Sequence, residues 1–150
     1  MDNNVNANFL NPEWWQTAMP EDVEAEIKKG ADVNAVSYDE NGKQSYENPL
    51  YRAVEAAEMH ALSTPEQKKK YETNVSILLK HGANVHSLKG YALYSLWLDC
   101  NLGILDILIN AGLDVNQRIS KFDDETLLKL ATRQEQEKVV QRLLAAGAKR

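Results

Sequence analysis

The sequence predicts an all-α solenoid of four helix-turn-helix repeats with short β-turn fingers. The first observation is a repeated phrase, Gly, then Ala or Leu, Asp or Asn, Val, and Asn or His. It occurs three times in full and once truncated, at 30–34, 82–86, 112–116 and 147–149. The second observation is that an apolar helical segment precedes every copy. A long repeated unit that ends by stopping a helix is typical of solenoids, in which each unit packs on its neighbours.

The repeated phrase has a simple physical interpretation. A glycine after an apolar helical run favours the left-handed conformation that ends a helix, because glycine lacks a Cβ. The Asp or Asn that follows can hydrogen-bond to its own backbone and shape a turn. Each copy is therefore predicted to end the second helix of a repeat and to begin the finger of the next one.

Three helix starts are well marked in the sequence. Asn11 and Asn48 each precede a proline, which places an N-cap residue before proline at the first helical position. Thr64 begins a Thr-Pro-Glu-Gln sequence, which has the pattern of a capping box. The predicted helix pairs are 11–18 with 20–29, 48–62 with 65–81, 92–100 with 103–111, and 125–133 with 135–146. A flexible segment at 1–10 precedes one domain at 11–150, whose repeats are 11–35, 36–87, 88–117 and 118–150.

The repeats differ in length, because successive phrase glycines are 52, 30 and 35 residues apart. The second repeat is expected to carry a long finger with a type I′ turn at Asn41-Gly42. Its two helices are expected to be long as well, so that residues 56–72 project as a hairpin that packs mostly on itself. The third repeat keeps only 87–90 as its finger. The sequence thus predicts an irregular surface with one long finger and one short one.

The chain resembles the ankyrin repeat family. Residues 48–54, Asn-Pro-Leu-Tyr-Arg-Ala-Val, partly match the first-helix motif of that family, and residues 126–132 match it more loosely. Residues 91–97 keep only Leu93 of that motif. The second-helix motif is better kept, at 78–82 and 143–147. The resemblance covers roughly residues 12–148, and the opening 12–23 is similar to the first repeat of small stand-alone bacterial ankyrin proteins. It implies an ankyrin-like solenoid of four repeats.

Composition excludes several function classes. The chain has 150 residues, 43% of them hydrophobic and 26% charged, and four repeats leave no room for a separate catalytic domain. A net charge of −5 disfavours nucleic acid and anionic membranes as partners. The single Cys100 and the absence of a signal-like N-terminus favour a cytoplasmic protein. We expect a monomer on its own, with no enzymatic activity, no catalytic residue, no cofactor and no metal site.

The expected function is protein binding on the concave face of the solenoid. In ankyrin-like arrays the finger tips and the first helices point the same way, and exposed aromatic and arginine side chains anchor interfaces. The predicted partner-binding residues are Tyr38, Tyr46, Arg52, Glu55, Leu98, Asp99, Phe122 and Arg133. Resemblance to the small bacterial proteins implies an immunity protein or antitoxin that inhibits a toxin or enzyme, and the acidic balance suits a basic target. The alternative is a scaffolding adaptor that docks partners without inhibiting them.

Overall fold

The computed structural model describes residues 4–93, 95–119 and 124–150 and is mostly helical. Eight α-helices occur within these residues: α1 (Ala7–Leu10), α2 (Pro12–Thr17), α3 (Pro20–Lys28), α4 (Pro49–Met59), α5 (Pro65–Lys80), α6 (Leu102–Asn110), α7 (Leu127–Arg133) and α8 (Glu137–Ala145). Short 3₁₀ turns lie at Val85–Ser87, Gly90–Leu93 and Asp99–Asn101. The antiparallel strands β1 (Ser37–Tyr38) and β2 (Gln44–Ser45) form the one sheet of the described part of the chain. The all-α class is confirmed.

The helices stack in chain order around one core. α3 packs on α5, α5 on α6, and α6 on α8, while α2 packs on α4. The buried apolar side chains of all four helix pairs form one contiguous cluster, from Phe9 near the N-terminus to Ala148 near the C-terminus. None of the helices described here is both long and apolar enough to cross a bilayer.

The predicted helix boundaries follow from capping. The side chains of Asn11, Asn48 and Thr64 each accept a hydrogen bond from a backbone N–H in the first turn of the helix that follows. At the other ends, Gly82 has a φ of +97° and the remaining phrase glycines have φ between +96° and +104°. A residue with a Cβ is strained in that region, so the glycines stop their helices as expected.

The first helix of the third pair is not formed, and the prediction of a helix at 92–100 is wrong. In its place lie the 3₁₀ turns Gly90–Leu93 and Asp99–Asn101, and residues 95–98 form turns and a bend. The side chain of Asn101 donates to the carbonyl oxygen of Ser95 at 2.8 Å. Asn101 thus occupies a backbone acceptor of this segment, as short polar side chains do where they compete with helical hydrogen bonds.

The N-terminal segment is partly ordered within the fold. The sequence predicts a flexible segment at 1–10, but residues 7–10 form α1, and its Phe9 is 1% exposed. The indole Nε1 of Trp15 donates to the carbonyl oxygen of Phe9 at 2.8 Å, and their rings lie 5.3 Å apart. Burial of Phe9 against Trp15 holds this segment on the first helix pair.

The long second pair is confirmed as a helical hairpin, with Ser63-Thr64 in its link. It also bonds to its neighbours on either side. Its Tyr71 hydroxyl donates to the backbone of Gln16 in the first pair, and Lys68 Nζ donates to the carbonyl oxygen of Cys100 at 3.3 Å. The overhang is therefore bonded to the pairs on both sides, which the sequence does not indicate.

Asparagine side chains connect successive turns. Asn34 donates from Nδ2 to the carbonyl oxygen of Gly82 at 2.9 Å, and its Oδ1 accepts from the N–H of Asn84 at 2.9 Å. Asn116 makes the same two bonds with the last turn, to the carbonyl oxygen of Gly147 at 3.4 Å and from the N–H of Lys149 at 2.8 Å. Such pairs of bonds hold the turns in a fixed register.

His86 occupies the equivalent position in the second copy of the phrase. Its N–H donates to the Asn84 side chain at 3.0 Å, as the N–H of Asn34 does to Asp32 at 2.8 Å, so the local turn is the same. The Cγ1 atom of Val85, beside it, lies 3.9 Å from the point where a Cβ on Gly112 of the next turn would be. His86 thus stands where an asparagine could bridge to that turn.

We expect His86→Asn to raise the free energy of unfolding by about 1 kcal/mol and the melting temperature by about 3 °C. The new amide can donate to the carbonyl oxygen of Gly112 and accept from the N–H of Asp114. Thermal unfolding followed by circular dichroism measures the effect, with His86→Ala as the control that adds no amide. Equal stability of the two variants would contradict the bridge.

Candidate functional site

The hairpin of the second finger is the most exposed feature of the predicted site. Tyr38 pairs with Gln44 and Ser37 with Ser45. The prediction of a type I′ turn is wrong, because Asn41 is not among the described residues with positive φ. Gly42 alone takes φ +78° and donates to the carbonyl oxygen of Asp39 at 2.9 Å. This is a type I turn followed by a glycine bulge.

The Asp39 side chain explains this choice of turn. Its Oδ1 accepts from the N–H of Asn41 and from the N–H of Lys43, both at 2.9 Å. An aspartate that holds two backbone donors in this way favours a longer loop than the two-residue turn. The hairpin is thus closed by its own side chain, and its end is held in place without help from another element.

The hairpin exposes apolar and aromatic surface. Tyr38 is 63% exposed, Val36 44% and Tyr46 39%. The ring of Tyr46 packs edge-on against the buried Tyr51 at 5.5 Å, which ties the base of the hairpin to α4. Large aromatic side chains held in one orientation lose little conformational entropy when they bind. Tyr46 therefore has the features of an interface anchor, and Tyr38 adds exposed aromatic surface on the same hairpin.

Arg52 and Glu55 are engaged with each other on α4. The guanidinium of Arg52 contacts Glu47 at 2.8 Å and Glu55 at 3.3 Å, and the Arg52 side chain is only 16% exposed. It also lies over the ring of Tyr51, at 5.5 Å from the centroid, and burial raises the pKa of Tyr51 well above its usual range. Arg52 thus supports the base of the hairpin, with most of its surface already covered.

Asp99 connects the third and fourth helix pairs. Its Oδ1 accepts from the N–H of Val139 in the first turn of α8, at 3.0 Å, while its own N–H donates to Gln136 Oε1 at 2.9 Å. Asp99 therefore caps α8 from the neighbouring pair, where Gln136 itself provides no side-chain cap. Leu98, beside it, is half-buried. The Asp99 side chain thus bonds within the fold, although the sequence analysis expects it to contact a partner. No sequence motif indicates this cap.

Arg133 lies in a separate part of the molecule. It is paired with Glu125, whose Oε1 accepts from the guanidinium at 2.9 Å, and this hydrogen bond holds the pKa of Glu125 below its usual range. The pair lines a shallow groove of about 320 Å³ together with Leu128, Lys129, Thr132 and Arg150. Phe122 lies outside the described residues. The predicted site thus divides into a hairpin cluster, an inter-pair cap at Asp99 and this terminal groove.

A larger groove lies next to the hairpin, and sequence reasoning missed it. It measures about 660 Å³ and runs between the hairpin and the turn of the third finger. Its walls are Asn34, Ala35, Val36, Gln44, Ser45, Tyr46, Asn48, Asn84, His86, Ser87 and Lys89. The unequal finger lengths are the signal that could have revealed it, because a long finger beside a short one leaves a space.

One half-buried carboxyl group, that of Glu58, lies apart from these surfaces. Glu58 Oε2 accepts from the hydroxyl of Ser95 at 2.6 Å, and Asn101 Nδ2 donates to the same hydroxyl oxygen at 3.1 Å. Burial raises the pKa of Glu58 to about 8, although the Ser95 hydrogen bond acts in the opposite direction. Across the described ranges, no group of three or more histidine, cysteine or acidic side chains is arranged to hold a metal ion.

No protein-family model matches the chain, and none of the curated proteins compared with it is significantly similar.

Proposed function

We propose that the chain is an ankyrin-like repeat protein that binds another protein through its second finger and the adjoining concave face, without catalysis. Two exposed tyrosines of one hairpin carry this proposal: Tyr46, which lines a preformed groove, and Tyr38. Ordered aromatic side chains next to a concavity are the usual anchors of protein interfaces. The net charge of −5 favours a basic partner protein and disfavours nucleic acid and anionic membrane.

The ankyrin-like part of the proposal rests on three observations. The second helices stack in chain order, left-handed glycines end them, and asparagines bridge successive turns. These are features of an array in which each unit packs on its neighbours. The protein would act as a monomer in the cytoplasm, as an inhibitor of the immunity-protein or antitoxin kind, and an adaptor role is the alternative.

Affinity capture from the native cell extract, with the whole protein as bait, identifies the partner. Tyr38→Ala and Tyr46→Ala are each expected to cost about 2 kcal/mol of binding free energy, or roughly thirtyfold in Kd, because each removes an aromatic anchor. Isothermal titration with the captured partner measures this. Circular dichroism of each variant checks that the fold is kept.

Leu62→Ala is the matched control, since Leu62 is 89% exposed and follows the end of α4 opposite the hairpin. If Leu62→Ala weakens binding and the tyrosine variants do not, the partner uses the other end of the helix pair and the proposal is wrong. An activity assay of the captured partner separates the two roles. An inhibitor abolishes that activity at saturation, whereas an adaptor leaves it unchanged.

A further inference from the structure

The groove beside the hairpin lies where a neighbouring finger is short. On one side stand β1 and β2, whereas on the other the chain passes through the single 3₁₀ turn Val85–Ser87 without a hairpin. The groove volume of about 660 Å³ lies in the range of sites that enclose a ligand. A segment of about four extended residues, roughly 13 Å long, is of comparable size.

The strand that borders the groove has free backbone groups. The N–H of Asp39 donates to the carbonyl oxygen of Lys43 at 2.8 Å. Because hydrogen-bonded and non-hydrogen-bonded pairs alternate in an antiparallel ladder, the next pair, Tyr38 with Gln44, is a non-hydrogen-bonded one. The N–H and C=O of Gln44 therefore point away from β1. In the described chain β2 pairs with β1 alone, so this edge is open to another strand.

Both walls of the groove are held in place. Asn48 Nδ2 donates to the Ser87 hydroxyl at 2.8 Å, across the base of the groove, and the Asn34 amide fixes the turn that begins at Asn84. Asn48 is itself held by the N–H of Tyr51 at 2.9 Å. A groove whose walls are already ordered loses little entropy when it is filled.

The charge of the groove favours a ligand with an acidic side chain. Its charged side chain is the exposed Lys89, and no carboxylate belongs to its described lining. This local positive charge contrasts with the net charge of −5 of the whole chain. An acidic side chain at this point would meet Lys89 directly, whereas a basic one would be repelled.

We propose that this groove binds an extended segment of a partner protein as an added strand on β2, with an acidic side chain of that segment placed at Lys89. Main-chain hydrogen bonds to Gln44 provide the affinity, and Lys89 provides the selection of acidic sequences. This rests on the proposed function, because it names the part of the partner that the second finger recognises.

A phage library of random seven-residue peptides, selected on the immobilised whole protein, is the test. Enriched peptides are expected to carry Asp or Glu. Their Kd, measured by fluorescence polarisation, should rise about tenfold or more in Gln44→Pro, which removes the N–H that the added strand needs. Gln44→Ala keeps that N–H, and its Kd is expected to stay within about twofold of wild type. Lys89→Glu should weaken binding about tenfold, and Lys43→Glu, the same charge change in the hairpin turn, should not.

The proposal would be overturned by no enrichment of acidic peptides, or by enriched peptides that bind Lys89→Glu as they bind wild type. Binding to a folded Gln44→Pro variant at wild-type strength would also exclude strand addition. Should Gln44→Pro fail to fold, the comparison of Lys89→Glu with Lys43→Glu decides alone. If the captured partner loses affinity for Tyr38→Ala but binds Lys89→Glu normally, the proposed function stands and the groove proposal fails.

Discussion

Replacing Trp15 with alanine is expected to lower the free energy of unfolding by about 4 kcal/mol and the melting temperature by about 12 °C. The Trp15 side chain is fully buried, and its ring packs 5.3 Å from Phe9 and 4.9 Å from Trp14. Its Nε1 also holds the carbonyl oxygen of Phe9. Alanine would leave a large cavity and release α1 from the first helix pair. Urea denaturation followed by circular dichroism measures the loss.

Trp14→Ala is the control, because Trp14 is adjacent in sequence but only partly buried against the core. We expect it to cost about 1–2 kcal/mol, since less surface is removed from contact. Trp15→Phe should fall between the two, because it keeps an aromatic ring and loses the hydrogen bond. An equal loss of unfolding free energy in Trp14→Ala and Trp15→Ala would contradict the prediction that Trp15 contributes more to the core than Trp14.

We expect Glu58→Gln to raise the free energy of unfolding relative to wild type. The increase should be about 2 kcal/mol larger above pH 8 than at pH 4. Burial raises the pKa of Glu58 from 4.5 to about 8. Between these values the unfolded chain has lost this proton and the folded protein keeps it, so stability falls as pH rises through this window. Below it both states are protonated and the penalty is absent. The side chain keeps some exposed surface, so we expect less than the full shift would give.

The measurement is urea denaturation at several pH values between 4 and 9 for wild type and Glu58→Gln, since the difference removes the titration of all other groups. Glu55→Gln is the matched control. Glu55 lies on the same helix and contacts Arg52, and its negative charge raises the pKa of Glu58 less than burial does. Parallel curves for wild type and Glu58→Gln would contradict a raised pKa. If Glu55→Gln changes the dependence of the unfolding free energy on pH by a comparable amount, the pH effect comes from Arg52 and its partners and not from Glu58.

Local chemistry explains why much of the helical arrangement is predictable. Asn48 before proline and Thr64 before Pro-Glu-Gln begin helices because their side chains satisfy backbone donors within three residues. Gly82 ends one because its φ of +97° suits glycine. Exposure of Tyr38 follows in the same way from its position in a long finger. Each of these outcomes depends on residues that are close in sequence.

Other outcomes depend on residues that only stacking brings together. Asp99 caps α8 from 40 residues away, and the Tyr71 hydroxyl donates to the backbone of Gln16 from 55 residues away. Helical periodicity and residue propensities do not predict such contacts, because the contacts form between segments that are distant in sequence.

By itself, the sequence determined the all-α class, most helix starts and stops, and the position of the exposed tyrosines, because capping and glycine conformation act over a few residues. The tertiary structure alone decided that α1 joins the core through Phe9, that Glu58 accepts a hydrogen bond from Ser95, and that a groove opens between β2 and the turn at Val85–Ser87. Burial and cavity shape depend on which surfaces meet, and that is settled only when the helix pairs stack.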